Sequence, residues 1–258
     1  MASKQDAPFL LTVDVEPDWG ISGARCISET LPRFCGMLGR LGIRATFFVV
    51  ADLTRTDCGE VLRRELRDHE VGSHGLTHRV LLGMPRDEIA RELRESRRQL
   101  ETFFGRPVTG FRAPFLKMPP GLVAMLAEAG YRYDSSQGAV APSPANATPS
   151  RWRAEWRGGI AEIPVASFSC GWIPFSLTYL RLLAPLSRRM VSGQEAILYL
   201  HLHELADPAL ARGLPLPLRC VLRRNAGEAA WPILEGTLAR FAARAITCGE
   251  YMAAMRPA

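Results

Sequence analysis

Short apolar runs alternate with amphipathic stretches of helix length along most of the chain. The run "FLLTVDV" reads as a strand. Residues 30–41 read as a helix with Pro32 in its first turn, where a proline sacrifices no hydrogen bond. Residues 45–51, "ATFFVVA", are apolar throughout, as in a strand buried on both faces. Residues 58–68 form a highly charged helix, and "EVGSH" starts another short strand. Residues 85–104 are a long helix that stops at Gly105, "VTGFRAP" follows as a strand, 120–129 as a helix ending at Gly130, and "YRYDSS" as a strand. A break rich in Ala, Pro and Ser at 137–148 is a surface loop and not a linker, because strand signals resume with "AEIPVASF". "AILYLHLH" (196–203) is the clearest late strand, 232–245 a closing helix, and "AITCGEYMAAM" ends the chain without any internal repeat.

Repeated βα units imply a largely parallel sheet with short crossovers. About seven such units predict an α/β fold, a distorted or incomplete (β/α) barrel in one domain over residues 1–258. Chemistry in such a barrel belongs at the carboxyl ends of the strands.

Composition changes this picture little. With 258 residues, 47% of them hydrophobic, the chain can bury one sizeable core. The net charge of +6 favours acidic partners such as phosphorylated sugars or anionic lipid. However, Arg91, Arg94, Arg97 and Arg98 alternate with Glu88, Glu92 and Glu95, the pattern of a solvated helix face. No basic patch is interleaved with aromatics, so nucleic acid is not an expected partner. A Gly-rich phosphate loop and a GxSxG elbow are also missing. The six cysteines form no CxxC pair, no secretory signal opens the chain, and no apolar run reaches the roughly 18 residues of a membrane helix. The expectation is a cytoplasmic protein with reduced thiols.

Four clusters could carry chemistry. Asp14 and Glu16 end the first strand two residues apart, so both carboxylates share a face. Two adjacent acids are costly unless a cation or a shared proton relieves them. Capping of a following helix would be the ordinary role, but Pro17 intervenes and the expected helix is distant. In "VGSHGLTH", His74 and His78 are four apart. On one helical turn their Cβ atoms would lie about 5–6 Å apart, and both rings could reach one metal. His69, at the end of the charged helix, reads as a surface residue. Arg112 in "GFRAPF" places a guanidinium at the same rim, where it could hold Asp14 through paired hydrogen bonds. In "YLHLHEL", His201 and His203 share a strand face with Glu204 beyond. One of them could act as a general acid, and His203 reads as the one that only packs.

Taken in order, "LTVDVE", "SHGLTH", "FRAP", "YDSS", "LHLHE" and "ITCGEYMAAM" resemble the polysaccharide deacetylase superfamily, the NodB-homology domain of carbohydrate esterase family 4. The resemblance spans nearly the whole chain. It implies a distorted (β/α) barrel with one divalent metal ion, Zn2+ first and Co2+, Ni2+ or Mn2+ as alternatives. It assigns His74 and His78 to the metal, Asp14 to the catalytic base, Arg112 to tuning that base, and the Phe115 backbone N–H to an oxyanion hole. It also makes Asp134 the acid that polarises the late histidine and His201 that histidine, the general acid. Val15 stands where the family has a second Asp, so Glu16, on Asp14's face, is the replacement ligand. Whether Asp14 also touches the metal stays open. The Asp-Val-acid pattern is similar to an intracellular subgroup acting in exopolysaccharide export or on lipid-linked amino sugars.

The expected activity is therefore removal of an acetyl or formyl group from the nitrogen of an amino sugar, lipid-linked or part of a polysaccharide pathway. A cyclic-amide hydrolase on a related barrel and an inactive sugar-binding barrel are the alternatives. Residues 170–190 read as a barrel helix plus a lid. In a second reading Trp172, Ile173 and Phe175 touch a lipid-linked sugar at the inner membrane face.

Overall fold

The computed structural model describes residues 7–18, 23–137, 154–165, 173–187, 197–207 and 216–255. Its first strand, β1 (Phe9–Val15), is buried along its whole length. Strand alternation sorts the side chains: Phe9, Leu11, Val13 and Val15 join the main core, Leu10 joins a smaller second one, and Thr12 and Asp14 follow Leu10's parity. One face of β1 is thus oily throughout, while the other turns from apolar to polar toward its carboxyl end.

From β1 the chain runs through α1 (Arg25–Leu41), β2 (Thr46–Val49), α2 (Gly59–Glu65), β3 (Glu70–Ser73), α3 (Arg86–Phe104), β4 (Gly110–Phe111), α4 (Leu122–Glu128) and β5 (Tyr133–Asp134). A hairpin, β6 (Glu155–Arg157) and β7 (Ile160–Glu162), precedes α5 (Leu177–Leu182) and β8 (Ile197–His201). Helices Leu216–Arg223 and Ala230–Leu238, strand β9 (Ala245–Ile246) and helix Cys248–Ala254 complete it. The strands form one sheet ordered β6-β7-β5-β4-β3-β2-β1-β8, with β9 also against β1. Every pairing is parallel except β6 with β7. The sheet curls into an incomplete barrel, as expected, and brings the carboxyl ends of β1, β2, β3, β4 and β8 to one rim. Leu10, Phe48, Tyr133, Ala161, Ile163, Ile197, Cys248 and Met252 make the smaller core.

Several boundaries differ from the sequence reading for local reasons. Helix α1 begins at Arg25, which leaves Pro32 inside it. Asp18 explains the early start: its carboxylate accepts the N–H groups of Arg25 and Cys26, both at 3.0 Å. Burial of Ile27, Leu31, Phe34 and Leu38 on one stripe offsets the hydrogen bond lost to the proline. Strand β2 ends at Val49 and gives way to a tight turn, Ala51–Arg55. The expected closing helix at 232–245 is helix Ala230–Leu238, a further turn at Ala242–Arg244, and β9. The loop expected at 137–148 lies, beyond Gln137, outside the described residues.

Two features of the sheet interior have measurable consequences. A Cβ on Gly110 would lie 2.0 Å from the buried Tyr133 ring, so β4 must carry glycine for the strands to pack. Asp134 and Glu162 face each other in the β5–β7 register and both are buried. Asp134 is held by Ser136, through its backbone N–H at 3.1 Å and its hydroxyl at 2.5 Å. The Glu162 carboxylate has no hydrogen-bond partner among the described residues. Burial, and then the Asp134 charge, push Glu162 up to about 8, while burial takes Asp134 to about 6.

Gly110→Ala is expected to lower the urea midpoint, at a cost of about 1–3 kcal/mol from forced repacking. Glu162 sits above its unfolded value, so its contribution to stability is present below about pH 4.5 and is lost as the pH rises through about 8. The melting temperature of Glu162→Gln should therefore gain on the wild type across that interval and hold a constant lead above it. A lead that does not vary with pH would contradict this assignment.

Candidate metal centre

His74 follows directly on β3, and its backbone N–H extends the ladder to the Val49 carbonyl at 2.9 Å. Its ring Nδ1 lies 2.8 Å from the Arg112 carbonyl, which can only accept, so Nδ1 carries the proton and Nε2 offers its lone pair. The chain then turns sharply. Gly75 and His78 both have left-handed backbones, at φ 82° and 63°. The two histidines therefore meet across a loop and not on the expected helical turn, with ring centroids 5.1 Å apart. Glu92 holds this loop by accepting from Leu76 N at 3.2 Å and Thr77 Oγ1 at 3.3 Å. The sequence reading placed Glu92 on a solvated face; it is in fact buried on the inner stripe of α3.

Glu16 completes the cluster. Its Oε2 is 2.7 Å from His78 Nε2 and 3.7 Å from His74 Nε2. The three donor atoms all lie within 4.8 Å of one another, and all three residues are buried. At 2.7 Å from the Glu16 carboxylate, the buried His78 Nε2 has no aligned hydrogen-bond partner among the described residues, as suits a nitrogen whose lone pair is meant for a cation. Two imidazoles and one carboxylate are the donor set of an open transition-metal site. The residues fit a divalent cation. Burial works to raise the Glu16 carboxyl, but the facing His201, with His74 and His78, more than offsets it and holds it well below the usual range.

Asp14 stands beside this cluster, where sequence placed it. Its Oδ1 takes a hydrogen bond from Arg112 Nη1 at 2.8 Å, and its Oδ2 is 3.7 Å from His74 Nε2. Arg112 is fully enclosed. It also donates to the Ser135 carbonyl, Ser135 Oγ and Thr12 Oγ1, and lies between the rings of Phe48 and Tyr199.

His201 closes the far side. Nε2 lies 4.0 Å from Asp14, 3.9 Å from Glu16 and 3.2 Å from the Tyr199 hydroxyl. Burial disfavours its charged form, but Glu16, Glu204 and Asp14 raise it to about 9. His203 is part of the site, contrary to expectation: its ring stacks on His201 at 4.8 Å, and Nδ1 is 3.7 Å from Glu16. Burial and the His201 charge push His203 down to about 4. Phe115 has a left-handed backbone, φ 59°, and lays its ring 4.8 Å from His78.

Two expectations need correction. The carboxylate beside His201 is Glu204, with Oε1 3.6 Å from Nδ1, and not Asp134. Asp134 is spent on Ser136, while Glu204 is the acid against His201 Nδ1. His69 is buried and not on the surface: its Nδ1 accepts the Ala45 N–H, and its ring packs on Phe47. Sequence reasoning also passed over Arg181, which bonds Glu204 at 3.0 Å. A lone arginine within the apolar run "LTYLRLL" was the available signal.

The family model for polysaccharide deacetylase matches residues 2–133. No curated protein matches the chain. Among solved structures, one described as a polysaccharide deacetylase from Mycobacterium smegmatis is similar at TM-score 0.65 and 20% identity, covering 100% of this chain and 94% of that one. Puue allantoinase is similar at TM-score 0.58 and 14% identity, with 92% and 85% covered. A CE4-family pseudoenzyme from Bacillus anthracis reaches TM-score 0.55 at 14% identity, with 96% and 66% covered. At such identities these likenesses show the shared fold. The family match is of another kind: it takes in just over half the chain, including Asp14, Glu16, His74, His78 and Arg112, and the protein belongs to the polysaccharide deacetylase family.

Proposed function

We propose that the protein is a metal-dependent hydrolase that removes an acetyl or formyl group from the nitrogen of an amino sugar. Membership of the family supports the coarser reading, a carbohydrate de-N-acetylase. The observation that carries the finer one is the convergence of Glu16, His74 and His78 on one point, with Asp14 and His201 on either side of it.

Glu16, His74 and His78 would hold the cation, with Zn2+ the first candidate for two nitrogens and one oxygen. When bound, such an ion polarises a carbonyl and eases the ionisation of water. Asp14 has Oδ1 engaged by Arg112, which leaves Oδ2 facing the cluster to take the proton of an attacking water. The water oxygen bonds to the amide carbon, the carbon–nitrogen bond breaks, and the products are a carboxylate and a free amine. His201, whose Nε2 faces the cluster and whose charged form Glu204 and Asp14 favour, would deliver a proton to the departing nitrogen. The Phe115 N–H is the proposed donor to the carbonyl oxygen as charge builds there.

The same convergence supports an active enzyme over a sugar-binding barrel without chemistry. Contact between residues 170–190 and lipid is not supported. Phe175 is fully buried against Phe241, Ile173 packs half-buried on the main core, and Trp172 lies outside the described residues. No helix among the described residues is long and apolar enough to cross a membrane.

Metal analysis of the purified protein, with acetate and formate detection on a panel of N-acylated amino sugars, tests the proposal. A ring-amide opening assay runs beside it. His74→Ala should lose the metal and about 10³-fold or more in kcat/KM while keeping its circular dichroism. A metal-free variant of full activity would overturn the proposal.

A further inference from the structure

Glu204 lies just past β8, buried and outside the cation set. Its Oε2 accepts hydrogen bonds from Arg181 Nε at 3.0 Å and Thr178 Oγ1 at 2.7 Å, both on α5. Its Oε1 accepts the His201 backbone N–H at 3.2 Å and lies 3.6 Å from His201 Nδ1. Arg181 is itself pinned: Nη1 donates to the carbonyls of Leu222 and Arg224, and Asn225 Nδ2 donates to the Arg181 carbonyl. The acid is thus gripped from two elements and has no free rotation away from the histidine. The His201 ring has two ends, Nδ1 toward Glu204 and Nε2 toward Asp14, Glu16 and the Tyr199 hydroxyl. A histidine whose one nitrogen faces a fixed carboxylate presents the other to the substrate in a set direction.

We propose that Glu204, clamped by Arg181 and Thr178, is the positioning residue that aims His201 at the departing nitrogen, the place the family resemblance gave to Asp134. This rests on the hydrolase reading above and deepens it: α5, which looks like packing, becomes a support of the proton donor.

The test compares two acyl substrates on metal-loaded protein. N-acetylglucosamine oligomers release an amine that must be protonated as it leaves. p-Nitrophenyl acetate releases an anion that needs no proton. Glu204→Gln should cut kcat about 10²-fold on the sugar amide, leave KM and bound metal within about twofold, and spare the aryl ester within about threefold. Glu204→Asp should recover part of the amide rate. Equal losses on both substrates would reveal a merely structural role and overturn the proposal. So would an unchanged amide rate, or a selective amide loss in Asp134→Asn instead. If Glu204→Gln does not fold, Arg181→Lys carries the same comparison. Should the wild type release no acetate from the sugar, the hydrolase reading fails. The Glu204 proposal is then judged on aryl acetates of graded leaving groups, where the variant must lose most on the poorest leaving group.

Discussion

Arg112 and Asp14 form a fully buried ion pair at the centre of the curled sheet, and the geometry of the site follows from it. A guanidinium taken out of water is tolerated only when its N–H groups find acceptors; removing the partner of such a pair typically costs about 3–5 kcal/mol. Here Asp14, Thr12 and Ser135 supply the acceptors, from β1 on one side and from just beyond β5 on the other. The same residue's carbonyl fixes the His74 ring. One position just past the end of β4 therefore sets the orientation of both the proposed base and one proposed ligand. The glycines of β3 and β4 belong to the same constraint: a Cβ on Gly72 would meet the Phe48 ring at 2.6 Å, and that ring is the surface on which the guanidinium lies.

A parallel sheet adds the convergence. In the β1 register Asp14 stands opposite Phe48 on one neighbour and His201 on the other, so acids and histidines far apart in sequence become lateral neighbours. The charge pattern then sorts itself by environment. His201 and His203 stack face to face, yet the carboxylates of Glu16, Glu204 and Asp14 raise the first against its burial, while burial, and then the His201 charge, lower the second. Two chemically identical side chains two residues apart are so pushed in opposite directions.

Much of this was legible in the chain. The run at 9–15, the two-residue spacing of Asp14 and Glu16, and Arg112 at a strand end were read correctly, because period-two alternation and burial act locally. The pair His74 and His78 was found for the wrong geometric reason: a four-residue spacing also suits a glycine-bearing left-handed turn, and no propensity argument separates the two. Asp18, Glu92 and Glu204 escaped because each looks like an ordinary surface acid in sequence. Only the tertiary fold sets Asp18 on the first N–H groups of α1, Glu92 under the histidine loop and Glu204 against Arg181. Asp134 is engaged by Ser136 while Glu204 lies against His201, a distinction that motif order cannot supply.

The two imidazoles are anchored by unequal means. His74 rides on the β-ladder, bonded to the Val49 carbonyl through its backbone and to the Arg112 carbonyl through its ring, while His78 sits on a turn held by the Glu92 carboxylate of α3 and by the Ala51 and Asp52 N–H groups, which donate to the carbonyls of Gly75 and Leu76. One ring takes its place from the sheet and the other from the turn, so the spacing of the two depends on how that turn packs against α3 and the segment after β2.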